Sequence, residues 1–173
     1  MRFLLLFTLL MLQHTQFYAQ SANVFDIARK GTLMEITASY NKNPEIINTL
    51  NENGSSPMIL SAYVGNRDVA LFLADKIKDI NYNSGRGTAI MAAVMGSDIE
   101  IIKKLLSLHA NPDLTDQEGK TALMYAVYFN KNEIASLLIK AGADKKTKDI
   151  EGRTALDLAN FNKNTQLIIL LDQ

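Results

Sequence analysis

His109 and a scatter of carboxylates are the residues best suited to chemistry in this 173-residue chain. There is no cysteine, which removes thiolate nucleophiles, disulfides and thiolate-held zinc together. The other histidine, His14, lies in an N-terminal segment that reads as a leader. A Ser–His–acid relay would have to run through His109, and no Gly-x-Ser-x-Gly elbow is present to serve it. Asp113, Asp116, Glu118 and Asp149 could supply an acid/base pair only if the fold gathered two of them into a pocket. Their spacing gives no sign of that. Glu100 and Glu133 fall at the same place in consecutive repeats and read as a solvated stripe. No cluster of metal-ligand residues stands out, and no cofactor is implied. Ser84-Gly85-Arg86-Gly87-Thr88 is a glycine-rich loop before a helix, an arrangement that can cradle phosphate. It lacks the Lys-Ser/Thr ending of a P-loop and reads as a turn. Asn53-Gly54-Ser55 has the form of a glycosylation acceptor and also of a polar turn. Residue types and spacing thus argue against an enzyme.

The elements that must position these residues are short helices. In the stretch 118–144, Thr121 can cap a helix with its hydroxyl. Leu123, Ala126 and Val127 then recur at helical spacing. Asn130-Lys131-Asn132 is a polar break. Ile134, Leu137, Leu138 and Ala141 mark a second helix, and Gly142 can take the left-handed conformation that ends it. One such hairpin cannot bury its own apolar sides. Neighbours of the same kind are present. Thr88-Ala89-Ile90, Thr121-Ala122-Leu123 and Thr154-Ala155-Leu156 are 33 residues apart, and Ser56-Pro57-Met58 lies 32 residues before the first. A period in this range with a two-helix unit marks a solenoid. Ser56 serves as a helix cap, and Pro57 sits at the first helical position, where a missing N–H does no harm. Ser61-Ala62 and Ala92-Ala93 are small pairs that let helices approach. His109 stands one period before Gly142, at a place that asks for a positive φ, which histidine tolerates better than most residues.

These openings, followed in register by Leu105-Leu106 and Leu137-Leu138, resemble ankyrin repeats, whose pattern is Thr-Pro-Leu-His-x-Ala. The resemblance runs from about Val24 to the end. The motif histidine is absent, with Ile59, Met91, Met124 and Asp157 in its place, and only Pro57 keeps the proline. The resemblance implies an all-α solenoid of stacked helix-turn-helix units joined by short β-hairpin-like turns. The units divide as 22–52, 53–83, 84–116, 117–149 and 150–173, with the first and last as caps. The last, dense in Leu167, Ile168, Ile169, Leu170 and Leu171, holds more apolar surface than one face of contact needs, so oligomerisation through it is an alternative function.

A column of large side chains follows the small pair of each unit. Tyr63, Met95, Tyr128 and Phe161 are spaced by 32, 33 and 33 residues. Val64 and Phe129 sit beside two of them, and Arg29-Lys30 hold the corresponding place in the first unit. In the family this region lines a concave groove that binds protein partners, so these eight residues are the expected partner-binding set. They could instead pack against the second helix of their own unit. Binding of an unidentified protein is the expected function. A small exported enzyme, or an accessory to one, using the turn carboxylates is a further alternative.

Residues 1–21 have the order of a secretory signal peptide: a positive end at Arg2, an apolar run from Phe3 to Leu12, then a polar stretch with small residues. The run is shorter than the roughly 20 apolar residues that span a bilayer, so no membrane span is expected after its removal. Cleavage after Ser21 satisfies the small-x-small rule with Ala19, whereas cleavage after Ala19 leaves Gln20 first but puts bulky Phe17 at the third position back. The expected destination is a periplasm or the secreted fraction. Lys plus Arg and Asp plus Glu number 18 each; removing Arg2 leaves 17 against 18, a net charge of −1. A nucleic-acid partner, which calls for a basic patch, is not expected.

Overall fold

The computed structural model describes residues 23–173, and the expected leader lies outside them. The chain runs α1 (Val24–Lys30), α2 (Leu33–Lys42), a 3₁₀ turn (Pro44–Asn48), α3 (Pro57–Val64), α4 (Arg67–Ala74), α5 (Ala89–Gly96), α6 (Ile99–Ser107), α7 (Ala122–Tyr128), α8 (Asn132–Lys140), α9 (Ala155–Phe161) and α10 (Thr165–Asp172). The odd-numbered helices stack in one layer, each on the next. The even-numbered helices form a second layer behind them, with α2 on α4, α4 on α6 and α8 on α10. This is the all-α solenoid that the repeat spacing implies.

Local chemistry starts and stops each helix. Ser56, Thr121 and Thr154 accept hydrogen bonds from the backbone N–H three residues on, those of Ile59, Met124 and Asp157. Each satisfies a donor that the first turn of a helix would leave unpaired. Asp157 returns a bond to the Thr154 N–H and closes a capping box. Between the helices of a unit the chain reverses through one left-handed residue: Gly65, Ser97, Asn130 and Lys163, with φ of 70°, 61°, 55° and 55°. His109, at φ 61°, ends its unit as Gly142 does at 93°.

Packing follows the same register. Ala28, Ser61, Ala93, Ala126 and Ala159 form a fully buried line of small residues through the first layer, which lets short helices lie close. Val69 with Leu73, Ile101 with Leu105, Ile134 with Leu138 and Leu167 with Leu171 form the buried i, i+4 stripes of the second layer. Each buried leucine or isoleucine contributes about 1.5–3 kcal/mol relative to exposure. The last unit departs from the pattern. Asp157 and Asn160 are exposed where the preceding unit buries Met124 and Val127, so the end of the stack is polar. Of the apolar run in α10, Leu167 and Leu171 are buried, Ile168 and Leu170 half-buried, and Ile169 exposed.

Candidate functional site

At the turn tips, side-chain carboxylates and amides build the backbone instead of facing a substrate. Asn51 Oδ1 accepts from the N–H groups of Asn53 and Ser55, Asp116 Oδ1 from those of Glu118 and Lys120, and Asp149 Oδ1 from those of Glu151 and Arg153. Each is a local turn that an Asn or Asp side chain holds by mimicking a carbonyl. The tips are laced together as well: the Gln117 N–H donates to Gly85 O at 2.9 Å and the Ile150 N–H to Glu118 O at 3.0 Å. Asp113 accepts from the Asp144 N–H at 2.8 Å. Asp116 Oδ2 accepts from the Tyr125 hydroxyl at 2.5 Å. Burial and this bond hold the Tyr125 phenol well above its usual pKa. Asp149 is buried against Arg153 at 2.8 Å. Asp116 and Glu118 share one turn while Asp113 and Asp149 lie in others; Asp113, Asp116 and Asp149 are committed to backbone N–H groups, and Glu118 is paired with Lys120. Among the described residues no group of three His, Asp or Glu is placed to hold a metal ion.

The tip that opens the third unit differs from the others. Asn83 and Thr88 form an isolated antiparallel bridge, with the Ser84 N–H donating to Gly87 O at 3.2 Å. Gly85 takes φ 82° and Gly87 φ 123°. Arg86 is carried at the apex of this small hairpin. Thr88, unlike Ser56, Thr121 and Thr154, leaves its buried hydroxyl without a partner.

The column of large side chains lies on the surface. Tyr63 is 55% exposed, Tyr128 52% and Phe161 82%. Val64 and Phe129 are also exposed, as are Arg29 and Lys30, while Met95 is half-buried. Tyr63, Val64, Tyr128, Phe129 and Phe161 each leave close to half or more of their surface uncovered, so packing against their own unit does not use up these side chains. The aromatic residues support one another instead. Phe129 meets Tyr128 edge to face with ring centroids 5.1 Å apart and stacks on Tyr125 at 6.3 Å. The Lys131 ammonium lies 5.3 Å from the Phe129 ring centroid. Between the second and third units the surface sinks into a cleft of about 330 Å³, bounded by Leu60, Tyr63, Arg86, Ala92 and Met95.

Lys131, Asn66 and Asn162 carry roles that the sequence does not display. Lys131 Nζ donates to the carbonyls of Val94 and Met95, at 2.7 and 2.9 Å, and to Ser97 Oγ at 2.6 Å. Burial lowers its pKa. Asn66 Nδ2 donates to the carbonyls of Ile27, Ala28 and Gly31, and Asn162 Nδ2 to those of Val127 and Tyr128. Each satisfies the carbonyl end of the preceding unit's first helix from across the seam. Two of these bonds hold the backbone of the column itself, at the carbonyls of Met95 and Tyr128. The targets of all three side chains lie 34 to 39 residues away, so no local pattern could have announced them.

The family model for ankyrin repeats (three copies) matches residues 24–113 and again 90–172. Over 101 residues, 57% of this chain, the sequence is 29% identical to ankyrin repeat and SAM domain-containing protein 6 of Rattus norvegicus, of which it covers 11%. Ankyrin repeats are generally protein–protein interaction modules, and the family is typically non-enzymatic. With its stacked helix pairs, repeating caps and family match over residues 24–172, the chain belongs to the ankyrin-repeat family.

Proposed function

We propose that this chain is an exported binding module that holds a protein partner in the concave groove formed by the ends of its first-layer helices and the turn tips. Arg29, Lys30, Tyr63, Val64, Met95, Tyr128, Phe129 and Phe161 are the contact set. The observation that carries this reading is the exposure of three large aromatic residues, Tyr63, Tyr128 and Phe161, at one register position of the stack. Large exposed aromatic residues on one face are typical interface anchors. Export rests on the signal-like order of residues 1–21 and on the absence of cysteine. The polar end formed by Asp157 and Asn160 favours a protein that works as a single stack over one extended end to end.

A photo-reactive phenylalanine analogue placed at Tyr128 tests the groove, with the same group at Lys103 on α6 as control. A protein cross-linked from Tyr128 and not from Lys103 supports the proposal. Equal cross-linking from both positions, or none from Tyr128, rejects it. N-terminal sequencing of the exported fraction tests removal of the leader: a start after Ala19 or Ser21 is expected, and recovery of the uncut chain inside the cell would contradict export.

A further inference from the structure

The cleft between the second and third units has walls that specify more than an apolar partner. Its apolar side is made by Leu60, Tyr63, Ala92 and Met95, and no carboxylate lines it. Its charged side is Arg86 alone. Among the described residues Arg86 is exposed and forms no ion pair. The other tips are different. Lys120 pairs with Glu118, and Arg153 pairs with Asp149 and Glu151, so their charges are internally matched. Asp116 and Glu118 line a neighbouring depression together with Arg86, but both are already occupied. Asp116 gives one oxygen to two backbone N–H groups and the other to Tyr125, and Glu118 belongs to Lys120. The guanidinium thus stands at the lip of an apolar cleft with its donor fork unused. That fork matches a carboxylate in two-point geometry, which a lysine ammonium does not.

We infer that the groove selects a partner segment in which an Asp or Glu lies beside an apolar side chain, the carboxylate pairing with Arg86 while the apolar group fills the cleft between Tyr63 and Met95. This rests on the groove reading above and adds the chemistry of the occupant. The hairpin at residues 83–88 is the device that presents the charge, because it places an arginine at the apex of the tip that opens the third unit. Lys30, in the first unit, forms no ion pair among the described residues and carries the same sign. Charge complementarity of this kind raises the association rate as well as the affinity, and its effect weakens with salt.

A phage-displayed library of random dodecapeptides, selected on the purified protein, tests this. The selected peptides should be enriched in Asp or Glu next to Leu, Ile, Val or Phe. Their affinity should fall by about tenfold or more on Arg86→Glu, the loss expected for a charge-assisted hydrogen-bonded pair. It should fall less on Arg86→Lys and decline with added salt. Circular dichroism should show both variants folded, since Arg86 is exposed. Peptides that lose affinity on Tyr63→Ala with Tyr128→Ala but are indifferent to Arg86→Glu would overturn the carboxylate inference and leave the groove standing. Peptides indifferent to both changes, or a library yielding none that binds, would overturn the groove reading and this inference with it.

Discussion

Two seams of the stack solve the same problem with opposite chemistry. Where α7 follows α5, the side chain of Lys131 reaches back and donates to the carbonyls of Val94 and Met95. Where α5 follows α3, the residue one period earlier is Asp98, which has no proton to give a carbonyl. Its carboxylate instead accepts from the N–H groups of Glu100 and Ile101 and pairs with Arg67 at 2.9 Å. The spacing at that seam is set by Gly96, whose missing side chain lets α5 lie against the backbone of α3. A Cβ there would stand 2.6 Å from Ala62 O and 2.8 Å from Tyr63 O. One seam is held by a flexible donor that can adjust, the other by backbone contact that cannot. The lesson is that a repeat register fixes which positions meet and leaves open the kind of contact they make.

The contrast can be broken most sharply at Gly96. Gly96→Ala drives a methyl group into the carbonyl oxygens of Ala62 and Tyr63, at a cost of about 3 kcal/mol, against a gain of at most about 1 kcal/mol in helix propensity. A net loss of about 2 kcal/mol is expected by denaturant unfolding, and an unchanged midpoint would refute the close-approach reading. Lys131→Met keeps the apolar stem and removes the donor, for an expected loss of about 1.5 kcal/mol, partly offset because a desolvated charge also goes. A midpoint that rises would mean that the buried ammonium costs more than its hydrogen bonds return. Asn162→Ala removes a neutral donor from the last seam, and about 1 kcal/mol is expected in the same measurement.

The smallest effect is a titration. Burial lowers the Lys131 pKa, whereas the hydrogen bond to Glu100 raises that of Lys103 and the hydrogen bond to Glu118 raises that of Lys120. Between its folded and unfolded values, Lys131 binds fewer protons in the folded state, so its contribution to stability grows as pH rises through that window. Lys103 and Lys120 have the opposite sign: their contributions are complete below the unfolded value and are lost as pH rises through the folded one. NMR of the lysine side chains should show Lys131 deprotonating first of the three, and a reversed order would contradict its burial.

The helices and their order were legible because their signals are local. Thr121 and Thr154 cap the helices that their spacing assigns, and His109 adopts the positive φ that its alignment with Gly142 requires. The all-α solenoid follows from that periodicity. The seams were not legible. Asn130-Lys131-Asn132 reads as a polar break, which it is, with Asn130 at φ 55°. Nothing in that triplet reveals that the lysine in its middle serves carbonyls in the previous unit. Gly96 was equally silent, since a glycine near a helix end reads as a stop before it reads as a contact. Arg86 sits in a loop recognisable as a turn, but its unpaired state depends on how Asp116 and Glu118 are used by their own tip. The exposure of Val64 and Phe129 could not be decided from spacing, because a residue at the end of a short helix can face either layer.

The question of whether Tyr63, Tyr128 and Phe161 form a binding face or part of the packing is settled most directly by changing all three to Ala, then measuring thermal unfolding and binding to the protein cross-linked from Tyr128. The expected result is a domain that melts within a few degrees of the original and binds at least about 2 kcal/mol more weakly, the loss typical of interface anchors. A variant that is unfolded at room temperature, or one that stays folded and binds as before, would contradict the assignment.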